Sequence, residues 1–134
     1  MELLWRDVGP GHQQPALTGP AGYDVREGVW LRESGRCLRC GRPLGEPRSP
    51  SWSCHHRQLR SQGGSDGPEN RAALCGSGTT GCHGWAHHNR ADAAGWVVPS
   101  HGDPARVPVL SWDRGLILLD GEFCWSIWTG EDDQ

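Results

Sequence analysis

The densest run of ligand-type side chains in this chain is Cys75-Gly76-Ser77-Gly78-Thr79-Thr80-Gly81-Cys82-His83-Gly84-Trp85-Ala86-His87. Two thiols bracket a loop of six small residues, and an imidazole follows the second thiol at once. A second imidazole stands four residues further on. Positions i and i+4 share one face of a helix, so His83 and His87 can aim at a single ion. From His83 to Ala94 the composition is helical, with Gly95 as the stop.

Upstream, Cys37-Leu38-Arg39-Cys40 is a C-x2-C pair followed directly by Gly41. A glycine there lets backbone amides turn toward thiolate sulfurs. Zn²⁺ prefers four tetrahedral thiolate or imidazole ligands, and two chelating loops are the usual way to supply them. The two pairs therefore predict structural zinc on Cys37, Cys40, Cys75 and Cys82. The competing reading is a disulfide framework. Met1 to Asp7 shows no basic segment followed by an apolar stretch, so an export signal is not expected. A reducing cytoplasm is the expected compartment, and zinc is favoured over disulfides there. Cys54 and Cys124 remain, and both read as buried thiols.

Composition agrees with a stapled fold. The chain has 134 residues, of which 20 are Gly and 10 are Pro. A core so short of apolar side chains gains folding energy from a metal site. The longest aliphatic run, Leu116 to Leu119, is far below the ~20 residues of a membrane span. The formal net charge is -3, but it is unevenly placed. Residues 36–71 hold seven Arg against Glu46, Asp66 and Glu69, whereas residues 91–134 hold Arg106 and Arg114 against eight acids. Local field matters more than total charge for phosphate recognition. The acidic C-terminal third is a poor surface for phosphate, and its charge raises the expectation that it docks a partner or limits unwanted binding.

Local signals predict an α+β chain. Residues 1–23 are Pro/Gly-rich and read as an extended arm. Asp24 can N-cap a helix over Val25 to Ser34, with Val25, Val29 and Trp30 on its apolar face and Gly35 as stop. Ser51 to Arg57 and Ala72 to Leu74 are short strands, joined by a polar loop from Gln58 to Arg71. Trp96 to Val98 is a further strand candidate, and so is Val107 to Leu110. Leu116 to Leu119, Asp120-Gly121 and Glu122 to Trp128 read as a β-hairpin. The expected division is a core over residues 24–98 and a β extension with an acidic tail over residues 99–134. Of the eight Trp, each is expected to pack. His88 and His101 are expected at the surface.

His55-His56 lies on the first strand candidate, where adjacent side chains face opposite ways. The two rings therefore need different tasks. Taken together, Cys-x2-Cys, Cys54-His55-His56-Arg57, Gly63-Gly64-Ser65, Pro68-Glu69-Asn70-Arg71, Leu74-Cys75-Gly76 and Cys82-His83-x3-His87 resemble the HNH endonucleases. The likeness is to their zinc-stapled members from actinobacterial phages and related genomes, and it runs from about Arg26 to Trp96.

The resemblance implies a zinc-stapled ββα-metal finger. His55 and His83 match its catalytic-metal ligands, and His87 fits an additional ligand. His56 matches the general base. Asn70 matches the residue that hydrogen-bonds across the loop and fixes the base-bearing segment. DNA is the implied substrate, with products carrying 5′-phosphate and 3′-hydroxyl ends. The phage terminase is the implied partner of a packaging role. Restriction, nicking and homing remain open.

The chemistry of the residues is consistent with these roles. An imidazole with pKa near ~6.5 is a competent base at neutral pH. A divalent ion open toward substrate stabilises charge on a phosphoryl oxygen and on the leaving oxygen. A His-rich shell suits Mn²⁺, Ni²⁺ or Zn²⁺, while Mg²⁺ would draw most of its coordination from water and phosphate. Arg57, Arg60 and Arg71 are the candidates for flanking phosphates, as bidentate forks. The alternative from another class is a non-catalytic zinc module that binds nucleic acid or protein. A monomer or weak dimer, with no membrane association, is expected.

Overall fold

The computed structural model describes residues 24–130. The proposed arm, residues 1–23, and the acidic end, residues 131–134, lie outside the described residues. Within them the order is α1 (Val25–Arg32), β1 (Trp52–His56), β2 (Arg71–Cys75), α2 (Gly81–His88), β3 (Val109–Ser111), β4 (Gly115–Leu119) and β5 (Trp125–Ile127). The fold class is α+β, with two small antiparallel sheets.

α1 begins where the sequence places it. The Asp24 carboxylate accepts from Glu27 N at 2.8 Å, satisfying one of the unpaired N–H groups of the first turn. The helix stops at Arg32, two residues short of the expected Ser34, because Ser34 and then Gly35 adopt positive φ. Val29 is buried, and Val25 and Trp30 pack against the core.

β1 and β2 form a two-stranded antiparallel ribbon in which His55 lies opposite Ala72 and His56 opposite Arg71. Ala72, Ala73 and Leu74 are fully buried, so β2 is covered on both faces, and both helices contact it. Alanines at two of these positions let the helices approach closely.

α2 is shorter than the predicted His83 to Ala94. It starts at Gly81 and ends at His88, where Asn89 takes over as cap: its backbone N and its Nδ2 both donate to Trp85 O. A 3-10 turn, Arg90–Asp92, follows. The expected strand Trp96 to Val98 is not one. Trp96 N and Val97 N both donate to Ala93 O, closing a turn, and Val98 N donates to Arg57 O. The apolar run is buried as a tight connection rather than as a sheet strand.

The C-terminal sheet has order β3-β4-β5, with Val109 opposite Ile117 and Ile117 opposite Ile127. The expected hairpin is therefore its β4–β5 half. Its inner residues Val109, Ile117 and Leu119 join Val29, Leu38, Trp52, Leu74 and Trp96 in one core cluster. Arg114 reaches back to the first helix, donating to Arg32 O and lying 3.6 Å from Glu33 Oε1. Trp112 departs from the packing expectation, with 48% of its surface exposed. Cys124 is buried and Cys54 is half-buried, its thiol pushed up in pKa mainly by loss of water. Among the described residues no helix is long and apolar enough to cross a membrane.

Candidate active site and metal centres

Four thiols converge first. Cys37 and Cys40 come from the turn after α1, Cys75 ends β2, and Cys82 opens α2. Their Sγ atoms all lie within 4.8 Å of one another, a span one tetrahedral ion can bridge. Backbone amides already face the sulfurs: Cys40 N lies 3.5 Å from Cys37 Sγ, and Cys82 N lies 3.4 Å from Cys75 Sγ. Arg39 Nη1 donates to Cys82 Sγ at 3.3 Å while its guanidinium stacks on Trp85. The Cys37 thiol is pushed up to about 12, first by its hydrogen bond to Cys82 and then by burial. A Zn²⁺ held by the four sulfurs would act the other way and stabilise the thiolate.

The six-residue gap between Cys75 and Cys82 closes through two glycines. Gly76 and Gly81 have φ of +88° and +64°, and a Cβ on Gly76 would collide with Thr80 O. Ser77 N donates to Thr80 Oγ1 across the loop. The longer spacing thus returns the chain to the thiol cluster as a compact turn.

The second group is His55, His83 and His87, whose ligand nitrogens also fall within 4.8 Å of one another. Alternation on β1 turns His55 inward and His56 outward. His55 is buried, and its Nε2 lies 2.7 Å from Trp96 O. A carbonyl only accepts, so Nε2 carries the proton and Nδ1 carries the lone pair. That Nδ1 is buried without a hydrogen-bond partner, which suits a metal ligand. His83 and His87 bring their Nε2 atoms to 3.0 Å of each other, one helical turn apart on α2. Burial lowers the His55 pKa to about 3 and the His83 pKa to about 4, and it also lowers that of His87. All three rings are neutral at pH 7, the form that ligates.

His56 stands outside this group. Its Nε2 lies 2.8 Å from Asp66 Oδ1, a residue that carries no motif in the sequence. The only sequence signal for Asp66 was its place as one of three acids in an Arg-rich stretch. Asn70 is fully buried in the turn before β2. Its Oδ1 accepts from Gln58 N at 2.7 Å, and its Nδ2 donates to Gln58 O and Ser65 O. One amide side chain therefore clamps both ends of the loop that leaves His56.

The three arginines separate. Arg60 is on the surface, with 72% of its side chain exposed. Arg71 is mostly covered, its Nη1 3.9 Å from Asp66 Oδ1 and its other nitrogens on Cys54 O. Arg57 corrects the sequence reading. It is completely buried, and its guanidinium donates to the carbonyls of Gly95, Glu69, Pro104 and Val107. No donor face remains for a phosphate. His88 and His101 are exposed, as expected.

The family model described as HNH endonuclease matches residues 37–89. That span holds both thiol pairs, His55, His56, His83, His87 and Asn70. Over those residues the chain is similar to this nuclease family. Comparison with curated proteins and with solved structures gave no match.

Proposed function

From the similarity to HNH endonucleases over residues 37–89 we propose that this chain is a metal-dependent DNA endonuclease that hydrolyses phosphodiester bonds. One observation carries the reading. Three neutral imidazoles converge within 4.8 Å, while a fourth, His56, stands on the opposite face of the same strand, outside the cluster. A purely structural metal site has no use for that second ring, turned away from the cluster.

In this reading His55, His83 and His87 hold a divalent ion, Mg²⁺, Mn²⁺, Ni²⁺ or Zn²⁺. When bound, the ion supplies charge stabilisation at a phosphoryl oxygen and at the leaving 3′-oxygen. His56 takes the proton of the attacking water, and Asn70 fixes the loop that carries the base. Arg60, and Arg71 beside it, meet flanking phosphates. The four cysteines hold a structural Zn²⁺. Residues 24–98 form the catalytic finger and residues 99–134 its extension. One site cuts one strand, so a double-strand break needs two copies or two successive nicks. The resemblance to zinc-stapled phage proteins supports a role in DNA packaging beside a terminase.

The test is cleavage of supercoiled plasmid by wild type and His56→Ala, with EDTA and with each of the four ions in turn. Conversion to nicked or linear plasmid by wild type alone, and only with metal, is the expected result. No conversion with any ion, from folded and zinc-loaded protein, would overturn the nuclease reading in favour of a binding module.

A further inference from the structure

We propose that Asp66 is a positioning residue for the general base: it holds the His56 ring through Nε2 and leaves Nδ1 as the atom that accepts the proton of the attacking water. The inference rests on the nuclease reading of this site and deepens it.

The geometry begins with the 2.8 Å contact between His56 Nε2 and Asp66 Oδ1. An ionised carboxylate only accepts, so the proton lies on Nε2 and the lone pair on Nδ1. The carboxylate is fixed from several sides. Arg60 Nε and Arg71 Nη1 each lie 3.9 Å from the same Oδ1. Arg71 Nη1 also donates to Asp66 O, and Arg71 sits opposite His56 in the ribbon register. On one flank, Ser65 O accepts from Asn70 Nδ2. On the other, Gly67 N donates to Ser65 Oγ, and Ser65 Oγ donates to Glu69 Oε2. The loop that carries Asp66 is thus tied to the buried Asn70, and the carboxylate is presented rather than left to wander. Asp66 lies outside the imidazole cluster that can hold an ion.

The step balances as follows. The water oxygen forms a bond to phosphorus as the bond from phosphorus to the 3′-oxygen breaks. The water proton passes to His56 Nδ1, and the 3′-oxygen takes a proton from solvent. His56 becomes an imidazolium, and Asp66 faces the new charge across the Nε2–H bond.

This role sets turnover and binding against each other. Asp66 is 60% exposed and brings negative charge to a surface that must meet phosphate. Its removal should therefore favour DNA binding while impairing chemistry. Asp66→Asn is expected to lower kcat about tenfold or more, part of the ~10²–10⁴-fold that general-base catalysis supplies. KM for plasmid should stay unchanged or fall, and Asp66→Glu should restore part of the lost kcat. A side chain so exposed leaves no hole when changed, so the variants should melt as wild type does. A kcat for Asp66→Asn equal to or above that of wild type would overturn the proposal.

A second readout does not depend on cleavage. In ¹⁵N NMR of the neutral rings, assigned by comparison with His56→Gln, wild-type His56 should read as the Nε2–H tautomer. Asp66→Ala should lose that bias. A wild-type ring protonated on Nδ1, or a tautomer unmoved by Asp66→Ala, would overturn the proposal even in an active enzyme. Absence of cleavage with the expected tautomer would instead count against the nuclease reading.

Discussion

Cys82 and His83 are chain neighbours in the first turn of α2, yet they belong to different ligand groups. The thiol joins Cys37, Cys40 and Cys75, and the imidazole joins His55 and His87. One peptide bond therefore links the structural group to the candidate catalytic one. The thiol cluster anchors the start of the helix that presents both His83 and His87.

This adjacency predicts an asymmetry in metal content. Wild type should carry two metal ions per chain when loaded with zinc. His83→Ala should lose one and keep its fold. Cys82→Ser should lose both, because without the thiol group α2 has no fixed position and structural zinc contributes folding free energy directly. Elemental analysis beside far-UV circular dichroism checks this. A Cys82→Ser protein that still binds one ion at the imidazoles would show the two groups to be independent.

Arg57 and Arg60 stand three residues apart and should respond in opposite ways. Arg57→Ala removes a buried cation that binds four carbonyls, leaving those acceptors unpaired. A loss of stability on the order of 3–5 kcal/mol is expected in urea unfolding. Arg60→Ala should leave stability within ~0.5 kcal/mol. It should weaken DNA binding at low salt and reduce the slope of log affinity against log salt by about 1. The reverse pattern would restore Arg57 as a phosphate contact.

Acid should destabilise the fold through the imidazole cluster. His55 and His83 have folded pKa values of about 3 and about 4, below the ~6.5 of an unfolded chain. Between those values the unfolded state binds protons that the native state does not, so stability rises with pH across the window and levels off above ~6.5. Thermal unfolding between pH 7 and pH 4.5 should show a steeper loss for wild type than for His55→Gln. The thiol site is common to both proteins and drops out of the difference. Equal slopes would show that burial does not hold the His55 ring neutral.

Ligand chemistry was the legible part of this sequence, because metal-type side chains at fixed spacings carry their meaning locally. The two thiol pairs, the i,i+4 histidines and the opposed faces of His55 and His56 follow from spacing and periodicity alone. The Asp24 cap is equally local. What escaped the sequence depends on distant backbone. Arg57 follows the His-His pair and reads as a phosphate clamp until the carbonyls of Gly95, Pro104 and Val107 are seen around it. Trp96 to Val98 has the composition of a strand, and only the turn onto Ala93 O shows otherwise. Asp66 is an ordinary loop acid until the fold brings it to His56.

The carbonyls that surround Arg57 come from both sides of residue 98, and this bears on which fragment of the chain can stand alone. Cutting after the finger would strip Pro104 and Val107 from the buried guanidinium and expose Trp96, which packs in the same core as Val109 and Ile117. The ribbon and the three-stranded sheet should therefore exchange their amide hydrogens as one cooperative block. The piece that can be transplanted between proteins is longer than the piece that bears the motif.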